Sequence, residues 1–376
     1  MKNTTLVLLC ALCLLHLPTT RAQNDSTPLF NTLRFEVRAD FMYHHLMTSG
    51  TNLPLSHDDN TYGFKGQYFN IHVGGNLTPK LSYYFRQRMV ANPGSNSFFD
   101  NTDFLYLNYA INKNWSLRVG KEALAVGGFE YDAPPIDVLY WSYYWDNFYC
   151  FQLAASAKYT TNDGKNSFVL QVGNSPYIHY DSPFQNSLLS YNLFWSGNFG
   201  HFQTLYSFNM FQRDKKGRFM NYVALGHKLV FDKWDLYVDF IHRATSTKEL
   251  FKNFGVVTCA NIYFGKQFNL FIKGAYEQNH DLREYNYYTL TGESWDCLSV
   301  PGLTYFYGGL GFELRPRKCP DVRIHGFIAD IFNKTAIPST SPDPWEGPSV
   351  LHQDIYANVG VTWNIDLLKY INKKLK

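Results

Sequence analysis

Charge is scarce in this chain of 376 residues: Asp, Glu, Lys and Arg together make up 17% of it, where a water-soluble domain carries about 25%. Nor does either sign dominate. There are 34 basic and 31 acidic residues, and an expected leader would remove Lys2 and Arg21 to leave 32 against 31. That balance excludes the basic footprint nucleic acid demands, so no nucleic-acid partner is expected. Long apolar runs are missing as well. Beyond residue 22 no 18 apolar residues follow one another, so no helix is expected to span a bilayer. Cysteine is sparse. Cys10 and Cys13 fall in the leader, and Cys150, Cys259, Cys297 and Cys319 are too scattered for a small disulfide framework. They read as buried or rim thiols. Neither a Gly-x-Ser-x-Gly elbow, nor His-Glu-x-x-His, nor a phosphate-binding glycine loop occurs. No catalytic residue, cofactor or enzymatic activity is therefore expected. His44, His45 and His242 have no third ligand at a recognised spacing, so they read as strand-end residues and no metal site is expected.

Aromatic residues, by contrast, are abundant. The 28 Tyr and 31 Phe outnumber the 31 acidic residues almost two to one. With many glycines and a negative mean hydropathy, this suits a barrel that is apolar outside and wet inside. The first residues fit a secretory signal: Lys2 supplies the positive end, Leu6 to Leu17 the apolar stretch, and Thr20-Arg21-Ala22 a cleavage site after Ala22. Cys10 and Cys13 lack the preceding small residue that a lipid-anchored leader would show.

The main signal is alternation with period two. Phe35, Val37, Ala39, Phe41 and Tyr43 lie on one face of a strand, and Arg34, Glu36, Arg38 and Asp40 on the other. The same contrast recurs in Trp234, Leu236, Val238 and Phe240 against Asp235, Tyr237 and Asp239, and in Ile355, Ala357, Val359, Val361 and Trp363 against Tyr356, Asn358, Gly360, Thr362 and Asn364. Sixteen such segments are expected: 33–45, 64–77, 81–92, 102–111, 115–122, 149–160, 166–174, 188–197, 201–212, 219–231, 234–243, 252–265, 268–279, 303–315, 321–332 and 353–365. Several approach ten residues, enough for a tilted strand to cross a bilayer. The register of 219–231 stays open, because either choice points His227 or Lys228 outward. Short connections such as Thr78-Pro79-Lys80 and Asn112-Lys113-Asn114 alternate with longer ones such as 123–148 and 280–302. Short turns on one side and long loops on the other are the pattern of an outer-membrane barrel, and sixteen strands are wide enough for an aqueous lumen. The fold class expected is all-β, a 16-stranded antiparallel transmembrane β-barrel with short periplasmic turns and an inward-folded third loop. Its divisions are a signal peptide (1–22), a short periplasmic segment (23–32), the barrel (33–365) and a basic periplasmic tail (366–376).

The third loop carries the functional expectation. Its charges between 125 and 146 are Glu130, Asp132, Asp137 and Asp146, all acidic, while Arg34, Arg38, Arg86, Arg88 and Arg118 share the polar register of the early strands. With its aromatics and Pro134-Pro135, the loop is expected to fold inward. Glu130, Asp132 and Asp137 would then face the five arginines across a constriction and set up a transverse field. Phe194, Phe271 and Phe327 in the lumen register point instead to partial filling, and so to an alternative: an occluded barrel whose surface loops bind a partner or glycan.

Val119-Gly120-Lys121-Glu122, then Gly127-Gly128-Phe129-Glu130-Tyr131-Asp132 and Pro135-Ile136-Asp137-Val138, resemble the Bacteroidetes-type members of the phosphate-selective porin O and P family. The resemblance is specific over about 115–150 and general elsewhere. It implies a 16-stranded barrel in the outer membrane, a homotrimer with the third loop in the lumen, and diffusion of small hydrophilic solutes or anions such as phosphate. Two features depart from the family: the acidic loop with a near-neutral balance, which points to weak selectivity, and the chain's continuation past Trp363 and Ile365 into a lysine-bearing tail.

Overall fold

The computed structural model describes residues 28–50, 57–89, 99–146, 148–177, 188–213, 217–244, 251–279, 303–335 and 350–374. Its strands are β1 (Thr32–Gly50), β2 (His57–Asn76), β3 (Leu81–Arg88), β4 (Thr102–Ala110), β5 (Trp115–Ala123), β6 (Phe151–Thr160), β7 (Asn166–Asn174), β8 (Leu189–Phe199), β9 (Phe202–Gln212), β10 (Phe219–Val230), β11 (Trp234–Ala244), β12 (Asn253–Phe264), β13 (Phe268–Asn279), β14 (Leu303–Leu314), β15 (Val322–Thr335) and β16 (Val350–Asp366). Each pairs with its neighbours in sequence, and β1 pairs with β16 to close the barrel. All sixteen expected segments are strands, and all pairings are antiparallel. Closure leaves no sheet edge, as lipid requires of a β-structure that must pair every backbone N–H and C=O.

Alternation sorts the side chains as the sequence implied. Leu107, Val119, Leu170, Leu193, Ile272, Leu310, Ile328 and Val359 point outward and are exposed, which would be unfavourable in water but suits hydrocarbon. Asp235, Asp239, Lys273, Glu277 and Arg323 occupy the opposite register and are buried inside. The open register of β10 is resolved by its interior partners. Lys228 turns inward, 3.5 Å from the Asp235 carboxylate, and His227 turns outward to meet the Tyr206 hydroxyl at 2.7 Å.

β1 and β2 run further than expected, to Gly50 and from His57, as one extended hairpin. Backbone pairing continues beyond the hydrocarbon without a sided side-chain pattern, because water wets both faces there. Residues 367–374, expected as part of a tail, form a helix.

Two buried clusters fill much of the interior. One gathers Tyr144, Trp145 and Phe148 of the third loop with Phe211, Met220, Tyr222 and Ile241 of the wall. The other gathers Leu139 with Phe271, Tyr305, Tyr307, Phe327 and Tyr356. Phe271 and Phe327 are stacked at 5.7 Å. Cys150, Cys259 and Cys319 are free thiols. His44 faces inward against Asp354 at 2.9 Å, His45 meets Asn60 at 2.7 Å, and His242 accepts the backbone N–H of Phe251 at 2.8 Å. The expected leader and Cys297 lie outside the described residues.

Candidate functional site

The segment between β5 and β6 crosses the barrel interior and is fastened to the wall from β7 round to β1. Its elements are short: helix α1 (Phe129–Asp132), a 3₁₀ turn (Pro135–Asp137) and helix α2 (Tyr143–Asp146). Pieces this short have little stability of their own, so the wall must hold them.

It does so first through backbone. Ala125 N–H donates to Gln171 Oε1 at 2.8 Å, Gly127 N–H to Ser207 Oγ at 2.8 Å, and Gly128 N–H to the Leu205 carbonyl at 3.2 Å. Contact this close needs glycine. A Cβ on Gly127 would stand 2.5 Å from the Leu205 oxygen, and Gly128 has a φ of 113° that L side chains rarely adopt. Gly226 on β10 matches them, since a Cβ there would lie 2.9 Å from the Gly128 Cα.

The Asp239 carboxylate of β11 then accepts the N–H groups of Phe129 and Glu130, both at 2.8 Å. A wall residue thus caps α1, satisfying two helix-terminal donors with a negative charge. Glu130, fully buried, meets Lys273 Nζ of β13 at 2.5 Å and accepts from the N–H and hydroxyl of Ser142 at 3.1 and 2.5 Å. Lys273 also donates to the Tyr140 carbonyl at 2.7 Å.

Two guanidiniums grip the next stretch. Arg38 of β1 donates to the Val138 carbonyl at 2.7 Å and is itself held by Asp40 at 2.7 Å, whose other oxygen meets His325 Nε2 at 2.8 Å. Arg323 of β15 pairs with Asp137 at 2.7 Å and Glu313 at 2.9 Å, and donates to the Ile136 carbonyl at 3.0 Å. Asn358 of β16 donates to the Leu139 carbonyl at 3.3 Å.

The expected pairing between loop and wall needs correction. Among the described residues Arg38 alone of the five arginines touches the loop, and it does so through carbonyls rather than carboxylates. Arg34 pairs with Glu36 at 2.9 Å, Arg86 and Arg88 share Asp103 at 2.9 and 2.8 Å, and Arg118 pairs with Glu122 at 3.1 Å. Each wall arginine has a carboxylate nearer than any on the loop, and at short range in a poorly solvated interior the nearest opposite charge wins. Glu130 and Asp137 bind Lys273 and Arg323, which the sequence reading did not single out. Asp132 is exposed and makes no ion pair among the described residues.

Aromatic rings interleave with the arginines on the β3–β6 wall. Arg86 lies 4.4 Å from the Phe104 ring and Arg118 4.2 Å from the Tyr106 ring, a cation–π arrangement that favours a positive charge there. Arg34 and Arg118 remain 41% and 38% exposed, and Lys158 on β6 is exposed in the same inward register. No group of His, Cys, Asp or Glu among the described residues is arranged to hold a metal ion.

A closed sixteen-stranded barrel, greasy outside and ion-paired within, with its third loop drawn inward, defines an outer-membrane porin. The family model described as phosphate-selective porin O and P matches residues 48–247, and the chain belongs to that family, whose members are channels rather than enzymes. A search of the curated proteins finds no match. Among solved structures, the anion-selective porin from Comamonas acidovorans matches with a TM-score of 0.54 at 12% identity, over 89% of this chain and 99% of that one. OprB of Pseudomonas putida matches with a TM-score of 0.53 at 10% identity, over 88% and 94%. OmpT of Vibrio cholerae matches with a TM-score of 0.52 at 8% identity, over 92% and 99%. At such identities the likeness is one of fold.

Proposed function

We propose that this porin gives passive, weakly selective diffusion to small hydrophilic solutes and ions, anions such as phosphate among them, along the β2–β6 side of the lumen. One observation carries this reading. The third loop is fastened to the wall from β7 round to Arg38 on β1, whereas inward-facing Arg118 on β5, and Arg34 at the start of β1, stay about two-fifths exposed. In this reading the buried Glu130 and Arg38 do not meet the solute; with the Asp137–Arg323 pair they hold the constriction in shape, while the Asp137 side chain itself stays 41% exposed. Arg34, Arg88 and Arg118 line the passage, Asp132 and Asp137 face it, and Arg86 is buried against the Phe104 ring behind them. Because all five wall arginines already have carboxylate partners, the field is weak, and so is the selectivity. Membership of a family of phosphate-selective porins supports the inclusion of anions.

The same reading takes residues 1–22 as a cleaved signal peptide, the short turns as periplasmic and the working form as a homotrimer. The aromatic filling around Phe271, Phe327 and Tyr222 favours a second reading, an occluded barrel whose loops bind a partner or glycan. Single-channel recording on refolded protein separates the two. Ohmic steps with a modest reversal potential under a salt gradient support the porin, and a barrel that inserts without conducting selects the occluded form.

A further inference from the structure

We propose that the terminal helix α3 (Leu367–Lys374) is an interfacial anchor that binds acidic phospholipid headgroups in the leaflet at the short-turn end of the barrel. The proposal rests on the reading of that end as lying against the periplasmic leaflet.

The chain leaves β16 at a membrane boundary, since Trp363 points outward and is 47% exposed, as a headgroup-level aromatic would be. It then turns at once into a helix instead of ending in water. At 100° per residue Leu367, Leu368, Tyr370 and Ile371 share one side, and Lys369 lies on the other. Tyr370 and Ile371 are each 46% exposed.

The helix is also fixed in place. Asp321, in the turn before β15, receives Lys369 Nζ at 3.5 Å and the Tyr370 hydroxyl at 3.4 Å, and Lys369 N–H donates to Asp366 at 3.2 Å. Residues 367–376 contain Lys369, Lys373, Lys374 and Lys376 and no acidic residue. The charge calls for an anion. The exposed Tyr370 and Ile371, held at the level of the bilayer surface, call for one attached to hydrocarbon. An acidic phospholipid supplies both, and short basic amphipathic helices lie in such interfaces for that reason.

The test uses the full chain with its cysteines replaced by alanine and a nitroxide on Ile371→Cys. It is reconstituted in phosphatidylcholine vesicles with and without phosphatidylglycerol. With the acidic lipid, relaxation by oxygen should dominate over relaxation by a nickel chelate. Lys373→Gln with Lys374→Gln should lower the ratio of lipid-bound to water-exposed label by roughly 30-fold, at about 1 kcal/mol per lysine near an anionic surface. The unsubstituted chain gives a second measurement. In nanodiscs, phosphatidylglycerol should slow tryptic cleavage after Lys369 relative to cleavage after Lys165, which lies in another turn of the same rim. A label equally open to nickel in both lipids, or one immobilised only by added peptidoglycan, would overturn the proposal. Conductance recorded on the same samples separates the failures: a conducting barrel with a water-exposed label defeats the anchor alone, and a chain that does not insert defeats both readings.

Discussion

Lys273→Met should loosen the third loop without unfolding the barrel. The substitution keeps the length of the side chain and removes its charge, so the buried Glu130 carboxylate loses the ammonium 2.5 Å away. The Tyr140 carbonyl loses its 2.7 Å donor as well. Removing one partner of a buried pair costs about 3–5 kcal/mol. The two contacts from Ser142 remain, so the lower end of that range applies. The cost falls on docking of the loop, because sixteen paired strands hold the barrel whether or not the loop is seated. A loss of about 3 kcal/mol shifts the ratio of docked to undocked loop by roughly a hundredfold. The segment 136–139 is still gripped by Arg38 and Arg323, and residues 127–130 by Ser207, Leu205 and Asp239, so the stretch around Tyr140–Ser142 should loosen while the rest stays tethered. In single-channel recordings this appears as higher mean conductance with added open-channel noise, while the heat-modified gel mobility of the barrel is unchanged. Adding Glu130→Gln should restore most of the parental behaviour, because a neutral amide tolerates burial without an ammonium. Conductance and noise in Lys273→Met that match the parent would refute the idea that this pair seats the loop. So would a double variant no quieter than the single one.

Three further outcomes are expected. Val238→Arg, at an outward position on β11, should lower barrel stability by about 2–4 kcal/mol, read as a lower urea midpoint in vesicles; an unchanged midpoint would contradict the assigned register. Gly127→Ala puts a methyl against the Leu205 carbonyl and should give the same noisy, enlarged conductance as Lys273→Met, whereas a silent substitution would mean that the loop backbone does not rest on β9. Arg34→Gln with Arg118→Gln should move the reversal potential toward cations, while Arg86→Gln alone should move it little because Arg88 still neutralises Asp103. Equal shifts from both variants would show that pairing on the wall does not screen the arginines.

Much of the barrel was legible in the sequence because strand alternation is local. Phe35, Val37 and Phe41 against Arg34, Glu36 and Arg38 state one strand's two faces without reference to any other. The failure at β10 is instructive, since His227 and Lys228 are both polar. Only the Asp235 carboxylate on the neighbouring strand decided which of them faces inward. The loop was legible as special through its length, its prolines and Gly127-Gly128, but its anchors were not. Lys273 and Arg323 looked like ordinary lumen residues, and Asp239 like one charge among many. One clue was present and unused: Glu36 and Asp40 share a register with Arg34 and Arg38, so the arginines had partners close at hand before the loop was considered.

The sequence by itself determined the strand count, the inside and outside of each strand, and the sorting of short turns from long loops. Those follow from periodicity and turn chemistry, which act over a few residues. Only the tertiary structure decided which carboxylate meets which cation and which half of the lumen the third loop covers. Those depend on closure, which brings Arg38 within 3 Å of Val138 and Arg323 within 3 Å of Asp137, across a separation in sequence that no local pattern spans. Once the barrel closes, charges seek the nearest partner in a poorly solvated interior, and proximity there is set by the register of sixteen strands together.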